Sequence, residues 1–413
     1  MAGENNILTH KIIAQEGAAM LMEESKFIKS INREREREFN RDARGYKAGE
    51  SVTVKIPPRP VVTEGAIFNE DDADINAREQ SVELKIDYEK HVPLIFGARE
   101  QTLSLSKFKE RYLRPAIRVL ATDVDANFLR RAIVATNNHV IQSANEAHPL
   151  AAFGRARSLM NKNLAPDVRR FALLSSDFTN SIVDPSGTLF NPTAEIAKQY
   201  KEGYIGKARG FEFMESEHIF RFQNGSKVTG ITVSGADQTG STLNIAGLTN
   251  GDTIKAGQTF TITGVNLIHP VTHQSYGINS QHVVTEDFTA GGATGQIKIY
   301  PEITPKLVSA VRQANPTVDA SPANAAALTF IGTANQFIDQ AVCYDRDAYT
   351  CAFAPKKVLA GCDGYTFNTD TLAMRVMTFG EGRSDQEGTR IDLLGGFAAI
   401  RGNNASRVGR LVA

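Results

Sequence analysis

Apolar positions recur first at Ile12, Ile13, Met20, Leu21, Phe27, Ile28 and Ile31. Their spacing predicts an amphipathic helix from Asn6 to Ile31, capped by Asn5 or Asn6, that needs a surface to lie on. Arginines and glutamates then alternate from Arg33, with Arg41, Arg44 and Lys47 following, a run too polar to bury a face and predicted to be a solvated helix or arm. Val52, Val54 and Ile56 alternate with polar residues, and so do Val82, Leu84 and Ile86, which predicts two half-buried strands paired as a hairpin. The stretch joining them contains Pro57, Pro58 and Pro60 and far exceeds the usual turn of about two to five residues. From Pro115, Ile117, Leu120, Ala121, Val124, Phe128, Ala132 and Ala135 trace one stripe continuing to about Ile141. A spine helix of roughly 40 Å is predicted, starting at the proline.

Further along, short helices are predicted at Ala151 to Asn163 and Pro192 to Glu202, with extended runs at Arg170 to Ser175 and Phe211 to Met214 and a turn at Asp184 to Gly187. The composition then changes. Between Gln223 and Pro301 only Lys227, Asp237, Asp252, Lys255, Glu286, Asp287 and Lys298 are charged. Alternation at Thr229 to Val233 and Thr259 to Thr263, with glycine turns at Gly235, Gly251, Gly257 and Gly291, predicts a small β-barrel or sandwich. Pro301 to Ala327 leads out into mixed structure, and strands return at Ala373 to Phe379 and Arg390 to Leu394. The fold class is α+β with an inserted β domain.

The chain has 413 residues, 41% hydrophobic and 22% charged, with zero formal net charge. That composition is globular, and neutrality argues against a free nucleic-acid binder, leaving at most weak, non-specific contact with DNA. The charge is nevertheless segregated. From Glu64 to Glu89 nine acids face only Arg78 and Lys85, whereas Arg401, Arg407 and Arg410 are the only charges after Leu393. An acidic strip seeks a basic partner. The candidate inter-subunit contacts are therefore Glu64, Glu70, Asp71, Asp72 and Asp74 on one side and Arg33, Arg41, Arg44, Arg401, Arg407 and Arg410 on the other.

No apolar stretch of about 18 residues and no signal-peptide pattern is present, so neither a membrane span nor secretion by that route is expected. Cys343, Cys351 and Cys362 match neither a disulfide framework nor a zinc spacing, which points to a reducing compartment and structural thiols. Phosphate loops, dinucleotide fingerprints and nucleophile elbows are missing, and Ser104-Leu-Ser-Lys107 lacks its companion motifs. His269, His273 and His282 read as loop histidines. The sequence thus assigns no catalytic, cofactor-binding or metal residue. The arm, the acidic loop and the arginine-bearing C-terminus are surfaces that their own neighbours are not expected to bury, and they imply copies of the chain itself. The rival reading is a carbohydrate-binding adhesin built around the Thr- and Gly-rich β segment.

Several segments carry a resemblance: Phe27-Ile-Lys-Ser-Ile-Asn-Arg33, Gly49-Glu-Ser-Val-Thr-Val-Lys-Ile-Pro57, Phe108-Lys-Glu-Arg-Tyr-Leu-Arg-Pro115, Gly230-Ile-Thr-Val-Ser-Gly235 and Gly251-Asp-Thr-Ile254. Together and in this order they resemble the major capsid (coat) proteins of tailed phages with the Hong Kong 97 (HK97-like) fold, in the P22-like branch of short-tailed phages. The resemblance implies an N-terminal arm (1–48), an extended loop (49–96), a peripheral domain with the spine helix (97–146) and an axial domain (147–222 and 336–365). It also implies an inserted β domain (223–335) and a peripheral return with the C-terminus (366–413). It further implies pentamers and hexamers in an icosahedral virion shell around packaged double-stranded DNA, assembled in the host bacterial cytoplasm. Scaffolding, portal and decoration proteins are the implied partners, and no cleavable leader is expected. One departure concerns Ser234 to Ser241, a short turn where this branch can carry a long charged loop reaching a neighbouring capsomer.

Overall fold

The computed structural model describes residues 10–33, 51–56, 59, 62, 65–66, 68, 70, 78–97, 112, 114–143, 150–186, 206–308, 311–369, 372–381 and 386–412. The chain divides into two compact units, one of residues 1–54, 82–129 and 349–398, the other of 55–81, 130–348 and 399–413.

The first unit contains helices α1 (His10–Glu24) and α2 (Lys26–Ser30), most of α3 (Arg114–Val134) and strand β3 (Tyr88–Gly97). Strands β14 (Tyr349–Phe353), β15 (Asp363–Asn368), β16 (Ala373–Glu381) and β17 (Gln386–Ala399) complete it. β17 is the longest of the described strands and pairs with β3, β14 and β16, while β15 extends the sheet beyond β16. β1 (Ser51–Ile56) and β2 (Gln80–Lys85) pair with each other as a two-stranded sheet.

The N-terminal helical signal is realised as two helices broken at the fully buried Ser25, and their surface is their own chain. Ile13, Ala14, Ala18 and Leu21 make one buried face of α1, which packs on β15 and β16. This corrects the expectation that no neighbour could bury the arm helix. Ser25 gives α2 no side-chain cap; the buried Asp125 of α3 supplies one instead, accepting a hydrogen bond from the Ile28 backbone N–H at 3.1 Å. Phe27, Phe128, Tyr349, Phe353 and Phe397 stack in the core beneath, with ring centroids 5.6–6.2 Å apart.

The predicted stripe Ile117, Leu120, Ala121, Val124, Phe128 and Ala132 is buried along α3. The helix is shorter than expected, ending at Val134 after 21 residues, about 32 Å. The Thr136 hydroxyl donates to the Ala132 carbonyl at 2.7 Å, closing the last turn. Asn137 then donates to the Gln281 carbonyl and Asn138 to the carbonyls of Asn403 and Ala405, drawing the chain into β4 (Asn138–Gln142). Ile141, read as helical from the stripe, therefore lies on a strand.

In the second unit a mixed sheet has the order β4, β18 (Ala405–Leu411), β13 (Phe337–Asp345), β5 (Arg170–Leu174), β6 (Phe211–Glu215). β4 runs parallel to β18 and β5 parallel to β6, while β13 is antiparallel to both its neighbours. α4 (Ala151–Lys162) and α5 (Ser176–Ser186) cover it, with Phe153, Met160, Phe178 and Ile182 packed on Ala172, Leu174, Phe213 and Ala341. The turn expected at Asp184 to Gly187 is, as far as Ser186, the last turn of α5. The predicted helix at Pro192 to Glu202 lies outside the described residues, as does Ser104-Leu-Ser-Lys107.

The low-charge segment forms a six-stranded sheet in the order β12 (Leu328–Phe330), β9 (Thr259–Ile268), β10 (Ser275–Val284), β11 (Thr294–Ile303), β8 (Gly240–Ala246), β7 (Thr232–Val233). Val233 N–H donates to the Ala326 carbonyl at 2.9 Å and Leu328 N–H to the Ile231 carbonyl at 3.0 Å, so the first strand meets the last and the sheet closes into a barrel. Leu243, Ile245, Phe260, Ile262, Ile297 and Ile299 fill it.

Candidate functional site: assembly surfaces

Charge in the first unit converges on Asp392, a buried β17 residue. Arg375 of β16 reaches it through Nε at 2.9 Å and Nη2 at 2.7 Å, Arg390 through Nε at 2.9 Å, and Lys356 lies 3.6 Å away. Burial alone would raise this carboxyl; hydrogen bonds from Arg390 and Arg375 and the charges of Arg375 and Lys356 outweigh it and hold Asp392 below the usual carboxylate range. Lys356 also bonds Glu89, whose carboxyl is lowered chiefly by that hydrogen bond. Charged groups of β3, β16 and β17 are thereby linked within one chain.

In the second unit Asp339 of β13 accepts from Arg221 Nε at 2.6 Å and Arg410 Nη2 at 3.1 Å, and Arg221 extends to Asp177 at 2.7 Å. Arg410, a candidate inter-subunit residue, thus already has a partner in its own chain. Arg401 is half-buried, and burial lowers its pKa. Its charge adds to burial in lowering Arg59 to about 10, and Arg59 Nη2 donates to the Asn163 carbonyl at 3.2 Å. Arg33 is half-buried and its Nη1 donates to the Met22 sulfur at 3.5 Å.

Arg407 requires a correction. Its side chain is fully buried, Nη2 donating to the Gly257 carbonyl at 2.7 Å and Nη1 to Gln340 at 3.3 Å, with the guanidinium over the Phe222 ring. It fastens the barrel to the mixed sheet inside one chain and offers nothing to a neighbour. His139 of β4 reinforces that joint: its Nδ1 meets Thr259 Oγ1 at 2.8 Å, and its backbone exchanges two hydrogen bonds with the Gln281 amide at 2.7 and 2.9 Å. Burial, and then the Arg407 charge, push His139 well below the ordinary imidazole value.

Among the candidate acids only Glu70 is described, and it is exposed. Glu64, Asp71, Asp72, Asp74, Arg41 and Arg44 lie outside the described residues. Near Glu70 two large apolar side chains stand in solvent, Val62 at 83% and Phe68 at 78% exposure. A second apolar set was not singled out from sequence: Leu307, Val308 and Val311 on a short ribbon are also exposed, at 52%, 39% and 63%. Their signal was an apolar pair, Leu307-Val308, and Val311, bracketed by Lys306 and Arg312 in a stretch read only as mixed structure.

His269 and His273 lie in a loop as expected, and His269 Nδ1 accepts from the Val271 and Thr272 amides. His282 differs, for it is buried on β10 with Nδ1 donating to the Pro301 carbonyl at 3.0 Å. Cys343 and Cys351 are buried, and burial pushes the Cys343 thiol far up. Among the described residues no three His, Cys, Asp or Glu side chains converge to hold a metal, and no helix is long and apolar enough to cross a membrane.

A family model described as P22 coat protein, gene protein 5, matches residues 37–406. The chain belongs to the P22 coat protein family. Membership makes it a phage coat protein and a component of the virion capsid. No curated protein sequence matches significantly. Among solved structures, a Mycobacterium phage Che8 chain is 14% identical at a TM-score of 0.46, covering 94% of this chain and 90% of that one. The Ralstonia phage GP4 capsid is 8% identical at 0.45, covering 89% and 85%. The CUS-3 coat protein I-domain is 26% identical at 0.20, covering 25% of this chain and 97% of that one.

Within this P22-family coat protein the turn at Ser234–Ser241 is tied down against the barrel's own chain. The Gln238 side-chain amide donates to the carbonyls of Ser234, Gly235 and Asn244, and its Oε1 accepts from the Asn244 N–H. Asp237 accepts from the Ser321 hydroxyl at 3.1 Å.

Proposed function

We propose that this coat protein assembles into pentamers and hexamers of an icosahedral shell that encloses the packaged double-stranded DNA of a short-tailed phage. The observation that carries the reading is the match of the coat-protein family model to 370 consecutive residues, 37–406. The exposed Val62 and Phe68 beside a strongly acidic stretch support it, since a single copy leaves that surface uncovered. Zero net charge suits a wall that contains DNA and holds it only by weak, non-specific contact.

The proposal extends to the division into arm, extended loop, peripheral, axial and inserted β domains, and to assembly in the host cytoplasm around a scaffolding protein, with portal and decoration proteins as further partners. Glu70, Arg33, Arg401 and Arg410, with Glu64, Asp71, Asp72, Asp74, Arg41 and Arg44, remain the proposed inter-subunit charges. Each exposed pair contributes about 0–1 kcal/mol, so strength comes from repetition over many copies. The barrel lies within the span matched by the coat family, which counts against a carbohydrate-binding adhesin. Co-expression with the cognate scaffolding protein, followed by sedimentation, tests the assembly: fast-sedimenting particles are expected, and a chain that stays at the top of the gradient would contradict it.

A further inference from the structure

Helix α4 is basic without compensation along its length: its 12 residues include Arg155, Arg157 and Lys162 and no acid. Gly154, Arg157, Ser158, Asn161 and Lys162 recur at helical spacing on one face, and with Tyr276 of β10 they line a cleft of about 420 Å³ within the second unit. Apart from the glycine, every lining side chain can donate a hydrogen bond, and none is a carboxylate. The Lys162 ammonium stands 5.5 Å from the centre of the Tyr276 ring, and the Tyr276 hydroxyl donates to the Lys162 carbonyl at 3.5 Å, so helix and strand are joined at this cleft.

Arg157 is held in a fixed pose. Its Nη2 donates to Asp167 at 3.2 Å, its Nε is buried with no hydrogen-bond partner among the described residues, and its guanidinium lies against Gly210. Gly210 has a φ of +85°, and a Cβ there would stand 3.0 Å from Cζ and Nε, so the close approach requires glycine. Asp167 also pairs with Arg170 Nη1 at 3.2 Å, so one carboxylate serves two guanidiniums. Arg59 brings a further cation to the end of the helix through the Asn163 carbonyl. The helix dipole accounts for Lys162 in the last turn. It does not account for Arg157 midway along the helix, nor for a cleft lined by donors.

We propose that this cleft binds a phosphate group of the backbone of packaged double-stranded DNA. A phosphodiester presents two unesterified oxygens on a compact tetrahedral centre, which ammonium, hydroxyl and amide donors can reach from several sides. A planar carboxylate pairs best with a two-pronged guanidinium edge, and Asp167 already takes Nη2 of Arg157. Such a contact carries no sequence information and weakens with salt, as suits a chain of zero net charge.

The inference rests on the shell reading above, and its test stands apart from assembly. Fluorescence anisotropy follows a short labelled DNA duplex titrated with the purified full-length chain at several salt concentrations. Lys162→Ala should weaken binding about three- to tenfold and lower the slope of log K against log salt by about one. Gly154→Leu keeps every charge and has open space at its Cβ, so it should weaken binding comparably without lowering the unfolding temperature. Lys298→Ala removes the same charge beside Thr285, at the far end of β10 from Tyr276, and should leave binding unchanged. A loss in Lys298→Ala equal to that in Lys162→Ala, or no loss in Gly154→Leu, would overturn the cleft. Polyphosphate should displace the duplex more strongly than polyglutamate at equal charge; the reverse would assign the cleft to an acidic protein segment and overturn the phosphate. Calorimetric uptake of inorganic phosphate by a chain that does not bind the duplex would overturn the DNA source. Shells formed with the scaffolding protein by a chain that does not bind the duplex would overturn this inference alone, whereas absence of shells would overturn the shell reading.

Discussion

His282 illustrates how one buried side chain sets a pH response. Burial lowers its pKa to about 4, with the Pro301 carbonyl pulling weakly the other way. The unfolded chain takes up this proton near pH 6.5 and the native chain only near pH 4. The native state is therefore fully favoured above about pH 6.5 and loses about 3 kcal/mol as pH falls to about 4. His139 is shifted in the same direction and adds to the loss. Denaturant midpoints between pH 7 and pH 4.5 should fall accordingly, and His282→Leu should make the curve shallower; an unchanged slope in that variant would contradict this account. Asp392 acts in the acid limb. Its depressed native pKa contributes stability above the ordinary carboxylate range, and that contribution is lost as pH drops through the native value. Because Arg375 is almost fully buried against it, Asp392→Asn should cost about 3–5 kcal/mol at neutral pH, measured by chemical unfolding. A loss below about 1 kcal/mol would show that the pair is dispensable.

At the scale of elements, close backbone approaches decide where change is tolerated. A Cβ at Gly396 of β17 would lie 2.2 Å from the Lys85 carbonyl oxygen, whereas one at Gly380 of β16 meets nothing within 4 Å. Gly396→Ala should therefore destabilise by about 2 kcal/mol or more and Gly380→Ala by less than about 0.5 kcal/mol, as thermal unfolding would report. The elements legible in the sequence were those whose burial follows a simple period. Val52, Val54 and Ile56 gave β1, and Ile117 to Ala132 gave α3. The end of α3 was not legible, because the apolar stripe runs on through Ala135 and Ile141 while Thr136, Asn137 and Asn138 terminate it through partners as distant in sequence as Gln281 and Ala405. The length of β17 was hidden too: only Arg390 to Leu394 read as extended, and Gly396 is required where the Lys85 backbone comes close. For the assembly surfaces, the sequence showed where charge is concentrated, but it could not show that Arg407 is buried or that Leu307 and Val311 are exposed. Both outcomes depend on how the barrel meets the sheet and on where its ribbon emerges.

At the scale of the whole molecule, a net charge of zero is the sum of an acidic loop and basic segments elsewhere, some of whose arginines already serve the chain's own fold. Neutralising the loop with Asp71→Asn, Asp72→Asn and Asp74→Asn should impair shell assembly while leaving the unfolding curve of the free chain unchanged; normal assembly would remove electrostatics from the loop's role. The central claim is that this coat protein's function is association with its own copies. Electron cryo-microscopy of the purified chain assembled with its scaffolding protein tests it most directly. Closed shells built from five-fold and six-fold capsomers are the expected result, and monodisperse monomers under every such condition would contradict it.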